Sequence, residues 1–327
     1  MLIPAILLLI PSIVAFTIPN SSQKNISLRS SSSSYHPSYD PSYDPSYDPR
    51  VNFNVGPVYT FPGSSSLKLN VYGLVYGTIS IFLGIFWWLA LKFLSCCYFL
   101  TNNKLDRNRK LPVLVSTFWG NLVMSLMRNN PTVHNRDLVM KTLKNRPCVF
   151  VANHSSWTDI MYVAAAISYK NYKTVAKKEL LKVPILGTAL RVSSNVILDR
   201  SNRRSQLEAY KLGLRWLERG VPLMTFAEGT RSRDGRFQNF KRGAFKMALV
   251  QSVPIVPMSI CYSQVVNPLD FVFPIRPGKS FARVIFHQPI ETDDLPTMLT
   301  PDEKEAHVMK LVQESINGGL PHIQKQK

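Results

Sequence analysis

Val149-Phe-Val-Ala-Asn-His-Ser-Ser-Trp-Thr-Asp-Ile160 joins a short apolar run to a polar turn, and the turn presents His154 and then Asp159. The run Cys148 to Ala152 reads as a strand. Similar β-rich runs recur at Tyr172 to Ala176, Asn195 to Leu198, Val221 to Phe226, Ile255 to Ile260 and Ala282 to Phe286. They alternate with helical patterns, as in an α/β domain. A helix beginning at Trp157 or Thr158 puts His154 at its mouth and Asp159 in its first turn, so the loop can fold the imidazole back onto the carboxylate. A carboxylate at one ring nitrogen fixes the tautomer and leaves the other nitrogen free to accept a proton. Taken alone, the pair reads sooner as a structural histidine with a satisfied partner than as a catalytic dyad.

A second helix is legible between Ser201 or Asn202, either of which can cap it, and Gly220, which stops it. Leu207, Tyr210, Leu214 and Leu217 form its apolar stripe. It delivers the chain to the strand Val221 to Phe226 and then to the loop Glu228-Gly229-Thr230-Arg231-Ser232. Gly229 permits a turn with free N–H groups, and Arg231 offers a planar fork suited to phosphate. Glu228 is placed to hold Arg231 or to receive hydroxyl groups of a substrate. Arg200 leaves the strand Asn195 to Leu198 and is a second phosphate candidate. Both loops follow strand ends, where sites gather in layered α/β folds. In Val253-Pro-Ile-Val-Pro-Met-Ser259, two prolines predict an edge strand at best. Pro254, Ile255 and Pro257 on it line an apolar channel or belong to the core.

The 327 residues carry Lys+Arg 39 against Asp+Glu 20, a net charge of +19. The excess calls for an anionic partner: nucleic acid, a membrane surface or an anionic substrate. No nucleic-acid recognition motif appears. Cys96, Cys97, Cys148 and Cys261 lack metal-ligand spacing and read as reduced thiols, and no metal site is expected. Without a Gly-x-Ser-x-Gly elbow, a serine hydrolase built on Ser155 or Ser156 has little support.

Upstream, residues 1–15 form a signal-like segment. Residues 16–66 form a transit-like and low-complexity linker. Phe16 to Ser34 is Ser-rich with no acidic residue, and Pro37 to Asp48 repeats Pro-Ser-Tyr-Asp. A signal core, a Phe and then a transit-like stretch resemble two-part plastid presequences, so a plastid membrane is expected ahead of the endoplasmic reticulum. Residues 67–128 are expected to be membrane-associated helices. Asn70 to Leu91 is uncharged and long enough to cross a bilayer, with Trp87, Trp88 and Tyr98 suiting an interface. Leu111 to Met127 is a second span, a helix dipping into one leaflet, or the first core helix. The basic link of Lys104, Arg107, Arg109 and Lys110 between them suits anionic headgroups.

In this order, Asn-His-x-x-x-x-Asp (153–159), Ile-Leu-Asp-Arg (197–200), Phe-x-Glu-Gly-Thr-Arg-Ser (226–232) and Val-Pro-Ile-Val-Pro (253–257) resemble the glycerolipid acyltransferase family, closest to the lysophosphatidate acyltransferases. The resemblance covers about residues 110 to 290. Lys177 and Pro184, in Lys177-Lys-Glu-Leu-Leu-Lys-Val-Pro-Ile-Leu-Gly187, look like the family's segment before its second motif. Ser193-Ser194-Asn195 departs from the Gly that usually precedes the second-motif strand.

The resemblance implies an α/β fold with a mixed central sheet flanked by helices and N-terminal membrane-embedded helices, with residues 129–327 as the catalytic domain. It further implies acyl transfer from a thioester, acyl-CoA or acyl-carrier protein, to the sn-2 hydroxyl of lysophosphatidate. No cofactor is implied. His154 and Asp159 would be catalytic. Lys177, Arg200, Glu228, Gly229, Thr230 and Arg231 would bind the acceptor, and backbone N–H groups near the second or third motif would meet the oxyanion. Other lysophospholipids and glycerol-3-phosphate remain alternative acceptors, and a non-catalytic lipid binder is the remote alternative. Nucleic acid is not an expected partner.

Overall fold

A computed structural model describes residues 55–61, 67–293, 295 and 298–325. The signal-like segment and most of the linker therefore lie outside the described residues. Within the expected linker, Val58–Thr60 is a strand, β1, paired antiparallel with β2, Lys68–Asn70.

The elements then run α1 Val71–Leu100, α2 Lys110–Leu126, β3 Thr132–His134, α3 Arg136–Leu143, β4 Val149–Ala152 and α4 Thr158–Ile167. β5 Lys173–Lys177 leads through a 3₁₀ turn, Lys178–Lys182, to α5 Leu186–Val192 and β6 Val196–Leu198. α6 Arg203–Glu218, β7 Leu223–Phe226, α7 Gly243–Val250, β8 Ile255–Cys261, α8 Ser263–Val266, β9 Arg283–Phe286 and α9 Pro301–Gly319 follow. The larger sheet has seven strands in the order β3-β9-β8-β4-β7-β5-β6. Its neighbours pair in parallel except β8 with β9, so the sheet is mixed, as expected.

β4 holds the centre, with β7 on one side and β8 on the other. All four of its residues are buried, which explains why its sequence is continuously apolar rather than alternating. The expected edge position of β8 is wrong. All seven of its residues are buried between β4 and β9. The proline cost is avoided by placement. Pro257 O accepts from His287 N at 3.0 Å, so the side of Pro257 that lacks an N–H faces β9. That point lies just before the antiparallel ladder, which begins with Met258 opposite Phe286.

The helix between residues 201 and 220 is α6. Asn202 is its cap, accepting from Arg204 N and Ser205 N. Its buried face is Ala209, Gly213, Trp216 and Leu217, whereas Leu207 is 53% exposed. Tyr210, Leu214 and Leu217 of the expected stripe do pack on the core. The buried face is shifted from that stripe, because small residues let α6 approach α7 and β7 closely: a Cβ on Gly213 would meet Met247 Sδ of α7 at 2.3 Å and Leu223 Cδ1 of β7 at 3.3 Å.

α1 extends beyond the expected span. Asn70 caps it by accepting from Gly73 N, and it is long and apolar enough to cross a membrane. One face is nevertheless packed along its length. Tyr76, Trp87, Leu91 and Tyr98 are buried, and Trp87 stacks on Trp119 of α2 with centroids 4.3 Å apart. Trp87 and Tyr98 therefore face protein, not an interface. The other face exposes Leu74, Val75, Phe82, Ile85, Phe86, Leu89 and Phe93. α2 lies between α1 and α4, with Val113, Gly120, Val123 and Met124 buried and Phe118 and Leu126 exposed, so one face of it packs on the protein.

Candidate active site

β4 ends at Ala152, and the next residue keeps the sheet closed while the chain leaves it. Asn153 Nδ2 donates to Ile260 O at 2.9 Å, and Asn153 Oδ1 accepts from Ile260 N at 2.7 Å. The amide imitates one more strand residue, so the chain can turn without orphaning the β8 backbone. His154 follows at the mouth of α4, and Asp159 sits in that helix's first turn.

Asp159 is fully buried, and one of its oxygens gathers three donors. Oδ2 meets His154 Nδ1 at 2.8 Å, Ser155 N at 2.7 Å and Ser156 N at 2.8 Å. The backbone N–H groups of the turn hold the carboxylate, and the carboxylate then holds the imidazole. A carboxylate can only accept, so Nδ1 carries a proton and Nε2 presents its lone pair. Nε2 has no protein partner among the described residues, and the side chain keeps 14% of its surface exposed.

The ring is fixed from a second direction. Phe226, the last residue of β7, stacks on it with centroids 4.0 Å apart and planes 16° apart. The adjacent strands β4 and β7 bring the two rings together, since Ala152 pairs with Phe226.

Glu228 does not hold Arg231. Its Oε1 accepts from His154 N at 2.7 Å and its Oε2 from Gln238 N at 3.2 Å. It is 2% exposed, and burial pushes its carboxyl up to about 8, against the pull of those two N–H groups. Its observed work is to pin the His154 backbone to the β7 loop. Ser232 N reinforces this by donating to His154 O at 2.8 Å.

Gly229 turns the chain with φ +76°. Its carbonyl accepts from Arg200 Nη2, and a Cβ there would lie 2.6 Å from the Arg200 guanidinium. Gly229→Ala is expected to cost about 1 to 2 kcal/mol from the left-handed backbone alone, read as a lower midpoint in thermal denaturation.

Thr230 is exposed at the turn. The Arg231 guanidinium lies over the Trp157 ring at 4.6 Å, so Trp157 orients it. Burial lowers the pKa of Arg231, of Arg200 and of Lys177, and Lys177 is lowered further by the nearby charges of Arg200 and Arg231. Lys177, with Arg200 and Arg231 near enough to disfavour its charge, is thus gathered with them at the end of the sheet that carries His154, a natural seat for a polyanion.

The residues expected to line an acyl channel are not part of this constellation. Pro254 and Ile255 stand at the opposite end of the sheet, since Ile255 pairs with Val149 whereas Met258 pairs with Ala152. Pro254, Ile255 and Pro257 are all buried in the core. Sequence reasoning missed Phe226 as the stacking partner of His154, Trp157 under Arg231, and Gln238. Each contact depends on a loop or strand distant in the chain or on a side chain with no motif of its own.

Residues 130–261 match the family model described as Acyltransferase. The chloroplastic 1-acyl-sn-glycerol-3-phosphate acyltransferase BAT2 of Brassica napus is 35% identical over 144 residues, covering 44% of this chain and 41% of that one. The 1-acyl-sn-glycerol-3-phosphate acyltransferase of Cocos nucifera is 30% identical over 210 residues, 63% of each chain. The chain thus spans less than two thirds of these relatives' length. The crystal structure of the 1-acyl-sn-glycerophosphate (LPA) acyltransferase PlsC from Thermotoga maritima superposes with a TM-score of 0.53 at 24% identity, covering 73% of this chain and 97% of that one. The fold is therefore that of PlsC, and the stretch holding both the His154–Asp159 pair and the Glu228–Arg231 turn is acyltransferase-like in sequence.

Proposed function

We propose that the protein is a membrane-bound 1-acyl-sn-glycerol-3-phosphate O-acyltransferase, and that His154 is its general base. The observation that carries this is the 2.8 Å contact from His154 Nδ1 to a buried Asp159, which leaves Nε2 free at the mouth of α4. His154 takes the proton of the acceptor's sn-2 hydroxyl, and the oxygen attacks the thioester carbonyl of acyl-CoA or acyl-carrier protein. The tetrahedral intermediate collapses with loss of the thiolate, which receives the proton back from His154. Asp159 stabilises the imidazolium between these two transfers. No acyl-enzyme is needed.

Arg231, Arg200 and Lys177 hold the acceptor phosphate, while Thr230 and the Gly229 turn border it. Glu228 serves by fixing the His154 backbone. The exposed apolar face of α1 rests in the bilayer, where both lipid tails reside. A plastid membrane is favoured by the acid-free, Ser-rich stretch Phe16 to Ser34 and by the chloroplastic name of the Brassica relative. Imaging a fluorescent fusion tests that placement, and an endoplasmic reticulum pattern would refute it.

The purified full-length chain, offered lysophosphatidate, other lysophospholipids and glycerol-3-phosphate with each thioester, should make phosphatidate fastest. Thioester loss without an acylated product would mark a hydrolase instead. Arg231→Lys removes the bidentate fork but keeps the charge. It should raise KM for lysophosphatidate roughly tenfold, the equivalent of one charge-assisted hydrogen bond, with kcat nearly unchanged. An unchanged KM would contradict the phosphate role.

A further inference from the structure

At the far end of the sheet from His154 lies a cleft of about 640 Å³, roofed by the turn between α1 and α2 and floored by the starts of β4 and β7. Cys148 lines it one residue before β4, so it stands up to roughly 20 Å from His154 along extended chain. Its rim carries Arg107, Lys110, Arg146 and Lys170 against one acid, Asp106. Arg146 is engaged by Glu291 at 2.6 Å. Asp106 is spent internally, accepting from Tyr98 Oη at 3.1 Å and Leu111 N at 2.7 Å. Among the described residues, Arg107, Lys110 and Lys170 are left without a carboxylate partner, and all three are exposed.

The roof is built rather than loose. Asn171 Nδ2 donates to Asn108 O at 2.9 Å. The fully buried Lys173 donates from Nζ to Arg109 O and to Asn171 Oδ1, both at 3.1 Å, and lies over the Trp216 ring at 5.0 Å. A lysine taken out of water at the base of β5 is thus used to fasten the α1–α2 turn onto the cleft. Beside that turn, the exposed apolar face of α1 runs to its last residues: Phe99 is 81% exposed and Leu100 is 73% exposed. Cations without a carboxylate partner, in a cleft roofed by the turn that follows these exposed apolar side chains, match the boundary between lipid tails and phosphate headgroups.

We propose that this cleft binds the phosphorylated headgroup of an anionic membrane lipid that is not the substrate, and so anchors the α1–α2 end of the protein to the bilayer. The site takes no part in the proposed acyl transfer and needs no turnover to be observed. Its failure would leave the function proposed above standing.

The test is flotation of the full-length chain with phosphatidylcholine vesicles, with and without phosphatidylglycerol. Arg107→Gln/Lys110→Gln/Lys170→Gln should weaken binding to the anionic vesicles by on the order of tenfold to a hundredfold, from the loss of three basic residues near the surface. Binding to phosphatidylcholine alone should not change. Arg203→Gln/Lys211→Gln/Arg215→Gln on α6 removes the same charge elsewhere and should have far less effect. Equal losses in the two variants, or no loss in the first, would overturn the proposal. A second measurement uses the unaltered chain: phosphatidylglycerol vesicles, but not phosphatidylcholine vesicles, should shield Lys110 and Lys170 from acetylation read by mass spectrometry. Shielding by inorganic phosphate to the same degree would show a free-phosphate site and sink the lipid assignment.

Discussion

Replacing His154 by alanine should lower kcat for acyl transfer by about 10²- to 10⁴-fold, the range of a positioned general base. The fold should survive. The imidazole is partly exposed, and its loss leaves Asp159 still held by the N–H groups of Ser155 and Ser156. The acceptor KM should change little, because the phosphate is assigned to Arg231, Arg200 and Lys177 rather than to the imidazole. Purified His154→Ala protein with an unaltered melting curve and near-normal turnover would remove His154 from the chemistry altogether.

Asp159→Asn asks a narrower question with an effect of similar size. The amide oxygen can take the place of Oδ2 and accept from His154 Nδ1, Ser155 N and Ser156 N as the carboxylate does. The amide nitrogen falls where Oδ1 is, a buried atom with no hydrogen-bond partner, so a donor there is left unsatisfied at a cost of about 1 to 3 kcal/mol. What is lost is the negative charge beside the imidazolium formed during transfer. The expected result is a folded protein, somewhat less stable, whose kcat falls on the order of 10²-fold or more while KM holds. A stability loss without a kcat loss would make Asp159 purely structural. Asp159→Ala should do worse on both counts, because the two turn N–H groups then also lose their acceptor.

The two variants separate roles that the sequence leaves joined. Asn153, His154 and Asp159 are close in the chain, so their geometry is decided by one strand end, one turn and one helical turn. Local spacing suffices to foresee it. The six strand runs from Cys148 to Phe286 were legible for a similar reason, because buried strands are written as apolar runs between turn residues. β3 was not, since Thr132–His134 is three residues long, half exposed, and shows no apolar run. The stripe of α6 was legible in Tyr210, Leu214 and Leu217, which pack on the core, but not in its centre, because periodicity ranks residues by size and apolarity, whereas α7 and β7 accept the face with Ala209 and Gly213.

From the sequence alone came the alternation of strands and helices, the His154–Asp159 dyad, the basic loops at strand ends and the apolar length of α1. All of these follow from neighbours within a few residues, where spacing and backbone geometry dictate the outcome. Only the tertiary structure decided that β8 is central despite its prolines, that Phe226 clamps the His154 ring, and that Glu228 serves the His154 backbone instead of Arg231. It also decided which face of α1 is covered, and that Lys177, Arg200 and Arg231 meet. These contacts join residues tens of positions apart, and they are set by strand order and by which faces bury apolar area. One segment cannot encode that, because it depends on every other segment in the fold.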